Sequence, residues 1–153
     1  MSRPEFPIFN HVAISVERSL VEPEGRAELL DFYGEVFGWG EMPTLSIDGE
    51  RLVMRAHSNE QFIYLVADEN PMRCPTTDHF GMSVRTPDQL YATLERARKF
   101  KERDSRVVID EPMVEDFKVL KLHNFYVRYL LPLTIELQCF DWAEGLGADS
   151  FPD

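Results

Sequence analysis

A repeated segment constrains the fold of this chain more than any other feature of its sequence. Residues 10–16 read NHVAISV, and residues 78–84 read DHFGMSV. In each copy a polar residue and a histidine open a short run in which apolar residues alternate with small or polar ones, which is typical of a half-buried strand. An internal repeat of this kind predicts two similar modules within one chain.

A helical pattern follows each copy of the repeat. In the first module, apolar residues at helical spacing lead up to two glycines that flank Trp39. These apolar residues are Leu29, Phe32, Tyr33, Val36 and Phe37. In the second module, Thr86, Pro87 and Gln89 predict an N-cap, a proline at the first helical position and a capping-box partner. The buried face of this second helix is predicted to comprise Leu90, Leu94 and Ala97.

Strand patterns follow each helix. The first module is predicted to continue with a hairpin of residues 43–48 and 51–56, turned by Asp48-Gly49, and with a third strand at residues 61–67. The second module is predicted to continue with strands near residues 106–110, 119–129 and 133–140, with a loop at 111–117. Residues 68–77, which contain two prolines, are predicted to form the linker between the modules. Residues 143–153 are predicted to form an acidic tail.

The predicted fold class is α+β. Two tandem βαβββ modules, about residues 7–67 and 78–142, are expected to form a cup-shaped mixed sheet with the helices on its outer face. A length of 153 residues suits a single domain, residues 1–153, built from two small modules. The hydrophobic content of 44% is ample for a packed core.

Charge and composition narrow the possible partners. The net charge of −11 argues against nucleic acid, since phosphate neutralisation needs clustered Lys and Arg. We find neither an apolar run long enough to span a membrane nor a secretory signal pattern. The two cysteines occur in unrelated contexts, which favours a reduced, cytoplasmic protein.

The alternation of side chains along a strand places three potential metal ligands on equivalent faces. Val12, Ile14 and Val16 share one face of the first strand, and His11 lies on the other. The same parity separates His79 from its apolar neighbours, and Glu136 from Ile135 and Leu137. Two imidazoles and one carboxylate are a common ligand set for a divalent metal ion with open positions. The sequence therefore predicts one divalent ion, Fe, Mn, Zn, Ni or Co, bound by His11, His79 and Glu136.

Over about residues 7–142 the sequence resembles the vicinal oxygen chelate superfamily, which includes glyoxalase I, extradiol dioxygenases, methylmalonyl-CoA epimerase and the fosfomycin and bleomycin resistance proteins. The resemblance rests on NHVAISV, LLDFYGEVFGW, DHFGMSV, TPDQL and TIELQCF. It implies metal ligands in the first strand of each module and the last strand of the second, which again are His11, His79 and Glu136. Where some relatives have a fourth ligand, this chain has Tyr64. A phenol with an ordinary pKa of about 10 is a poor ligand, so Tyr64 is expected to contact the substrate instead.

The resemblance also suggests roles for further residues. Tyr126 lies ten residues before Glu136 and matches a tyrosine that contacts substrate in extradiol dioxygenases and fosfomycin thiol transferases. An aromatic residue that only fills the cup is the alternative interpretation. Arg128 is a candidate for binding an anionic substrate group. His123 is a further acid/base candidate only if its strand twists, since it shares the parity of Phe125.

Residues 129–133, YLLPL, replace the polar turn that relatives usually have before the Glu strand. An exposed apolar turn is costly in water, so we expect it to be covered, for which a second subunit is one candidate. A homodimer is accordingly predicted.

Several functions are compatible with these features. The first is a metal-dependent enzyme that acts on a small oxygenated substrate able to chelate the metal, either an extradiol-like dioxygenase or a lyase or isomerase. In these reactions Tyr126 and Glu136 are the candidate catalytic residues. The alternative is a metal-free protein that binds an antibiotic or another small ligand, as bleomycin resistance proteins do. A degenerate member of the superfamily, retained for protein interaction, is a third possibility.

Overall fold

In the computed structural model, which describes residues 6–150, the chain divides into two compact units, with the boundary between Met72 and Arg73. This boundary lies inside the predicted linker, residues 68–77. Each unit contains one helix and one four-stranded mixed sheet. The predicted α+β class and the repeated βαβββ order are therefore confirmed for the described residues, while a single domain that spans both units stays a prediction.

The first module consists of β1 (His11–Val16), α1 (Pro23–Phe37), β2 (Gly40–Glu41), β3 (Arg51–Arg55) and β4 (Phe62–Ala67). The strand order is β1-β4-β3-β2, in which β1 runs parallel to β4 and the other pairs are antiparallel. Helix α1 begins at a proline and ends at Gly38, whose φ of 72° is the left-handed conformation typical of a helix C-terminus. The helical pattern predicted from the sequence is therefore confirmed.

The predicted strand at residues 43–48 is wrong. Its place in the sheet is taken by β2, which has only two residues and pairs with Met54 and Arg55. Pro43 lacks a backbone N–H, and the hydroxyl of Ser46 donates to the carbonyl of Met42 and accepts from the amide of Val53, so local side-chain bonds replace a ladder. The predicted turn itself is present, with Gly49 at a φ of 73°.

The second module consists of β5 (His79–Val84), α2 (Pro87–Arg103), β6 (Val108–Asp116), β7 (Leu120–Arg128) and β8 (Thr134–Trp142). The strand order is β5-β8-β7-β6, with β5 parallel to β8. At the start of α2, the hydroxyl of Thr86 accepts a hydrogen bond from the amide of Gln89, as predicted. The side chain of Gln89 accepts in return from the amide of Arg85, one residue before the N-cap.

The predicted loop at residues 111–117 is also wrong, because β6 continues to Asp116. The register of its pairing with β7 shifts between Asp110 and Met113, so that Glu111 and Pro112 interrupt the ladder. Proline is tolerated at such an irregularity in an edge strand, since the missing N–H has no ladder partner to lose. Sequence patterns that rely on strict alternation miss a strand of this kind.

The predicted division of each strand into two faces is confirmed. Ile14 and Val16 of β1 are buried, whereas His11 is exposed. In the second module, α2 contacts all four strands, and its buried residues lie on one helical face. These residues are Leu90, Thr93, Leu94, Ala97 and Phe100. The strand residues predicted to face this helix are buried as well, namely Phe125, Val127, Ile135, Leu137 and Cys139.

The apolar turn at residues 129–133 is partly covered by the chain itself. Tyr129 and Leu131 are buried, and Leu130 has a φ of 59°, which bends the backbone sharply. The Tyr129 hydroxyl donates to Asp104 Oδ2 at 2.7 Å and accepts from Arg106 Nη2 at 3.2 Å. The expected covering is thus confirmed for Leu131 within the chain itself. Leu130 and Leu133 are only half-buried, and the homodimer stays a prediction.

No helix within residues 6–150 combines the length and the apolar character needed to cross a membrane.

We predict that Tyr129→Phe lowers the free energy of unfolding by about 1–2 kcal/mol, because a buried hydroxyl loses its bond to a carboxylate. Hydrogen bonds from Arg106 and then from Tyr129 hold the pKa of Asp104 well below its ordinary value. The contribution of a carboxyl with a depressed pKa is complete above about pH 4 and is lost as the pH falls. Urea denaturation should therefore show a difference between wild type and variant at pH 7 that shrinks at acid pH, and Tyr64→Phe should show none.

Candidate metal centre

Three predicted site residues of the second module are brought together by its sheet. His79 is the first residue of β5, Tyr126 lies on β7, and Glu136 lies on β8 between these strands. In the register of the ladders, Glu136 is opposite Gly81 on one side and Tyr126 on the other. His79 lies two residues before Gly81 and shares its face, so its ring reaches the Glu136 carboxylate.

The carboxylate of Glu136 is buried and its two oxygens have different partners. Only 7% of the residue is exposed. Its Oε1 accepts hydrogen bonds from Asn124 Nδ2 and from the Tyr126 hydroxyl, both at 2.9 Å. Its Oε2 lies 3.1 Å from Nε2 of His79. A buried carboxylate is stable only when such donors or a cation compensate its lost hydration.

The tautomer of His79 follows from its other ring nitrogen. Nδ1 lies 2.8 Å from the backbone carbonyl oxygen of Thr77, which can only accept a hydrogen bond. Nδ1 therefore carries a proton, and in the neutral ring Nε2 has a lone pair. A lone pair on Nε2 and a carboxylate oxygen at 3.1 Å are two acceptors that face each other. Such a pair needs a proton or a metal cation between its members.

This arrangement fits a divalent metal ion. With metal–ligand bonds of about 2.1 Å, neighbouring ligand atoms of one ion are roughly 3 Å apart, which agrees with the separation of Nε2 and Oε2. Metal-binding histidines also typically donate their second ring nitrogen to a carbonyl or carboxylate, which fixes the ring. The carbonyl of Thr77 plays this part for His79.

His11 has the corresponding features in the first module. It is the first residue of β1, and its Nδ1 lies 2.7 Å from Oδ1 of Asn10. Its ring stacks on Phe62 with a centroid distance of 4.9 Å and an interplanar angle of 8°. A donor role for Nδ1 leaves the Nε2 lone pair of His11 available, as in His79.

The ladders also show which residue of the first module corresponds to Glu136. Ala13 is opposite Tyr64 in the parallel pair β1–β4, as Gly81 is opposite Glu136 in β5–β8. Tyr64 therefore occupies the equivalent position and shares the face of His11, as the sequence predicted. Its contact with substrate stays a prediction.

Within residues 6–150, no three His, Cys, Asp or Glu side chains lie close enough to form a ligand group for a metal ion. The structure brings His79 and Glu136 together, and the participation of His11 stays a prediction.

A cavity of about 250 Å³ lies beside Tyr126 in the second module. Its lining combines three hydroxyl-bearing residues with one arginine and one aspartate. The lining residues are Thr76, Val108, Asp110, Tyr126, Val127, Arg128 and Thr134. Arg128 forms no salt bridge with any residue that the structure describes. An arginine without an ion-pair partner among the described residues, in a cavity that also has hydroxyl-bearing side chains, suits an anionic group of a small molecule.

Tyr126 connects the cavity with the carboxylate. Burial, and to a lesser extent the hydrogen bond to Glu136, raise the pKa of its phenol, which therefore keeps its proton at neutral pH. Because that proton is donated to Glu136, it is the lone pairs of the phenol oxygen that are free to meet a ligand.

His123 and Asn124 show where sequence reasoning was incomplete. His123 lies on the opposite face of β7, where its Nδ1 is 3.2 Å from the hydroxyl of Tyr91 on α2, so it is not part of the centre. Asn124 lies two positions before Tyr126, so strand alternation correctly placed both residues on the same face of β7. An amide is a weaker indicator of a metal centre than a histidine or a carboxylate, and its bond to Glu136 was not predicted.

Comparison with known proteins supports the fold. No protein-family model and no curated protein sequence matches this chain. A glyoxalase/bleomycin resistance protein from Albidiferax ferrireducens T118 has a similar structure, with a TM-score of 0.57 and 18% identity over 86% of this chain and 98% of that chain. A glyoxalase/bleomycin resistance protein/dioxygenase from Alicyclobacillus acidocaldarius has a TM-score of 0.61 and 14% identity, over 92% of this chain and 95% of that chain. The fosfomycin resistance protein FosX from Listeria monocytogenes has a TM-score of 0.58 and 11% identity, over 88% of this chain and 94% of that chain.

The chain therefore has the fold of the vicinal oxygen chelate superfamily, as the sequence resemblance implied. These similarities define the fold and leave the activity to be argued from the residues of the centre.

The two faces of β7 should respond differently to substitution. Phe125→Ala should lower the free energy of unfolding by about 3–5 kcal/mol, because a fully buried ring leaves a cavity behind. Tyr126→Phe should lower it by only about 1 kcal/mol, since the ring remains and Asn124 still bonds to Glu136. Chemical denaturation of the two variants tests this, and equal losses would contradict the assignment of the faces.

Proposed function

We propose that this protein is a metal-dependent enzyme of the glyoxalase/dioxygenase type. His79 and Glu136 hold one divalent ion, Fe, Mn, Zn, Ni or Co, and His11 supplies a further ligand. The observation that carries the proposal is the pair of facing acceptors, Nε2 of His79 and Oε2 of Glu136, at 3.1 Å. The similar orientation of His11, whose Nδ1 is held by Asn10, supports its inclusion.

The bound ion would supply Lewis-acid stabilisation of a substrate oxygen on which negative charge develops. The residues around it bind and orient a small oxygenated substrate in the cavity beside Tyr126. Arg128 binds an anionic group of this substrate. We retain Tyr64, at the position of the first module that corresponds to Glu136, as a predicted substrate contact.

The hydrogen bonds around Glu136 distinguish the roles of the two candidate catalytic residues, Glu136 and Tyr126. Both oxygens of Glu136 are engaged, with Asn124 and Tyr126 at Oε1 and His79 at Oε2. This favours a role as ligand over a role as a mobile base. Tyr126 is the better candidate for contact with the reacting atoms, since this residue lines the cavity. Either a ring-cleaving dioxygenase or a lyase or isomerase is compatible with these roles.

A metal-free protein that binds a small ligand is the second candidate, and one observation favours it. A separation of 3.1 Å also suits an ordinary ion pair between a protonated His79 and Glu136. In that case the proton takes the place of the metal, and the cavity alone binds the ligand. Both proposals include a small-molecule ligand, a homodimer and a cytoplasmic location. The two cysteines are free, which is in keeping with a reducing environment.

Metal analysis separates the two proposals. Protein purified without chelator should carry about one equivalent of a divalent transition metal, and His79→Ala should lose most of it, because the remaining ligands seldom hold such an ion tightly. His57→Ala is the matched control, since His57 lies in an exposed turn after β3 and should keep full occupancy. Full occupancy in His79→Ala would contradict the ligand assignment. A wild type that neither carries nor takes up metal would favour the metal-free protein.

The role of Arg128 can be tested by ligand binding. We expect Arg128→Gln to weaken the binding of an anionic ligand by roughly 10- to 100-fold, the range for the loss of one charge-assisted hydrogen bond. α-Keto hemithioacetals, catechols and fosfomycin, each with Fe(II), Mn(II) or Ni(II), form the first screening set for calorimetry. Lys121→Gln removes an exposed positive charge that does not line the cavity, and should leave affinity unchanged. Equal weakening in both variants would indicate only a general effect of charge.

A further inference from the structure

Asn124 is buried beside the candidate metal centre, and only half of its amide is satisfied. The residue is 4% exposed and lies on β7 two positions before Tyr126. Its Nδ2 donates to Oε1 of Glu136 at 2.9 Å. Its Oδ1 is buried and has no hydrogen-bond partner among the residues that the structure describes.

The orientation of this amide is determined by Glu136. A rotation of the amide by half a turn would place Oδ1 against the carboxylate oxygen, and two acceptors would then repel each other. A buried acceptor without a partner is costly, so an apolar side chain of similar size would suit packing alone at least as well. The bond to Glu136 is therefore the physical reason for an amide at this position.

We propose that Asn124 is a positioning residue that orients the Glu136 carboxylate as a ligand with one free oxygen. Because Asn124 and Tyr126 both bind Oε1, Oε2 remains directed at His79. This inference rests on the proposed metal-dependent function. Carboxylates that bind a metal are commonly held in one orientation by hydrogen bonds from neighbouring residues, and we assign this role to Asn124.

The two donors to Oε1 are not equivalent. Tyr126 lines the cavity, so a ligand there can contact its phenol oxygen. Asn124 does not line the cavity and faces Gln138 and Met113 across the sheet. Asn124 thus holds the carboxylate through a contact that lies outside the cavity lining.

The test separates positioning from packing, because the two roles predict different changes in Asn124→Leu. If Asn124 positions the carboxylate, Asn124→Leu should weaken metal binding by roughly 10- to 100-fold, while the melting temperature of the metal-free protein stays equal or rises. In the Co(II)-loaded protein the visible absorption bands should shift, because Oε1 of Glu136 then keeps one donor instead of two and can approach the metal. Gln138→Leu, at the neighbouring position of β8, is the matched control and should change neither affinity nor spectrum.

Each outcome bears on the inference. Wild-type affinity and an unchanged Co(II) spectrum in Asn124→Leu would overturn it and leave the proposed function intact. A wild type that binds no metal would overturn both. If Asn124→Leu folds poorly, Asn124→Ala is measured in its place. A lower melting temperature together with an unchanged spectrum of the bound metal would then show that Asn124 has a packing role only.

Discussion

The parallel pairing between the first and last strands of each module is the constraint on which the rest of the structure depends. This pairing places the residue two positions after each histidine, Ala13 or Gly81, opposite the residue that faces it on the last strand. In the second module that residue is Glu136, and a histidine and a carboxylate thereby lie on one face within contact distance. A shift of one residue would turn Glu136 into the layer covered by α2, where an ionised carboxylate is far less stable. The burial of Ile135 and Leu137 on that other face fixes the register.

The same register makes the two modules chemically unequal. At equivalent positions the first module has Tyr64 and the second has Glu136, so only one last strand offers a charged ligand. The supports of the two histidines differ as well. Asn10 holds Nδ1 of His11 through a side chain, whereas the backbone of Thr77 holds Nδ1 of His79. A backbone carbonyl has no side-chain rotation, so the acceptor at Nδ1 of His79 has fewer possible positions than the one at Nδ1 of His11.

Regular alternation explains how much the sequence could predict. The faces of β1, β5, β7 and β8 follow from strict alternation, which placed His79, Glu136 and Tyr126 on the polar faces of their strands. The family resemblance then singled out Tyr126. Prediction failed where the backbone departs from a regular period. Pro43 and Ser46 replace a strand by local bonds, and Pro112 lies in an irregular part of β6 that the sequence presented as a loop. Leu131 was correctly expected to be covered, but a residue pattern does not show that the chain itself provides the cover.

Asn124 shows why a candidate site is harder to predict than a fold. Folding favours sequences in which buried polar groups are hydrogen-bonded and apolar side chains are well packed. Most positions on this sheet follow that rule. Asn124 departs from it, with one end of its amide bound to Glu136 and the other buried without a hydrogen-bond partner within residues 6–150. A residue of this kind lowers stability compared with an apolar one, so its presence is explained by what it does to its neighbour. This neighbour is the carboxylate of Glu136, which Asn124, Tyr126 and His79 contact from two other strands. These contacts can be recognised only once the pairing of the strands is known.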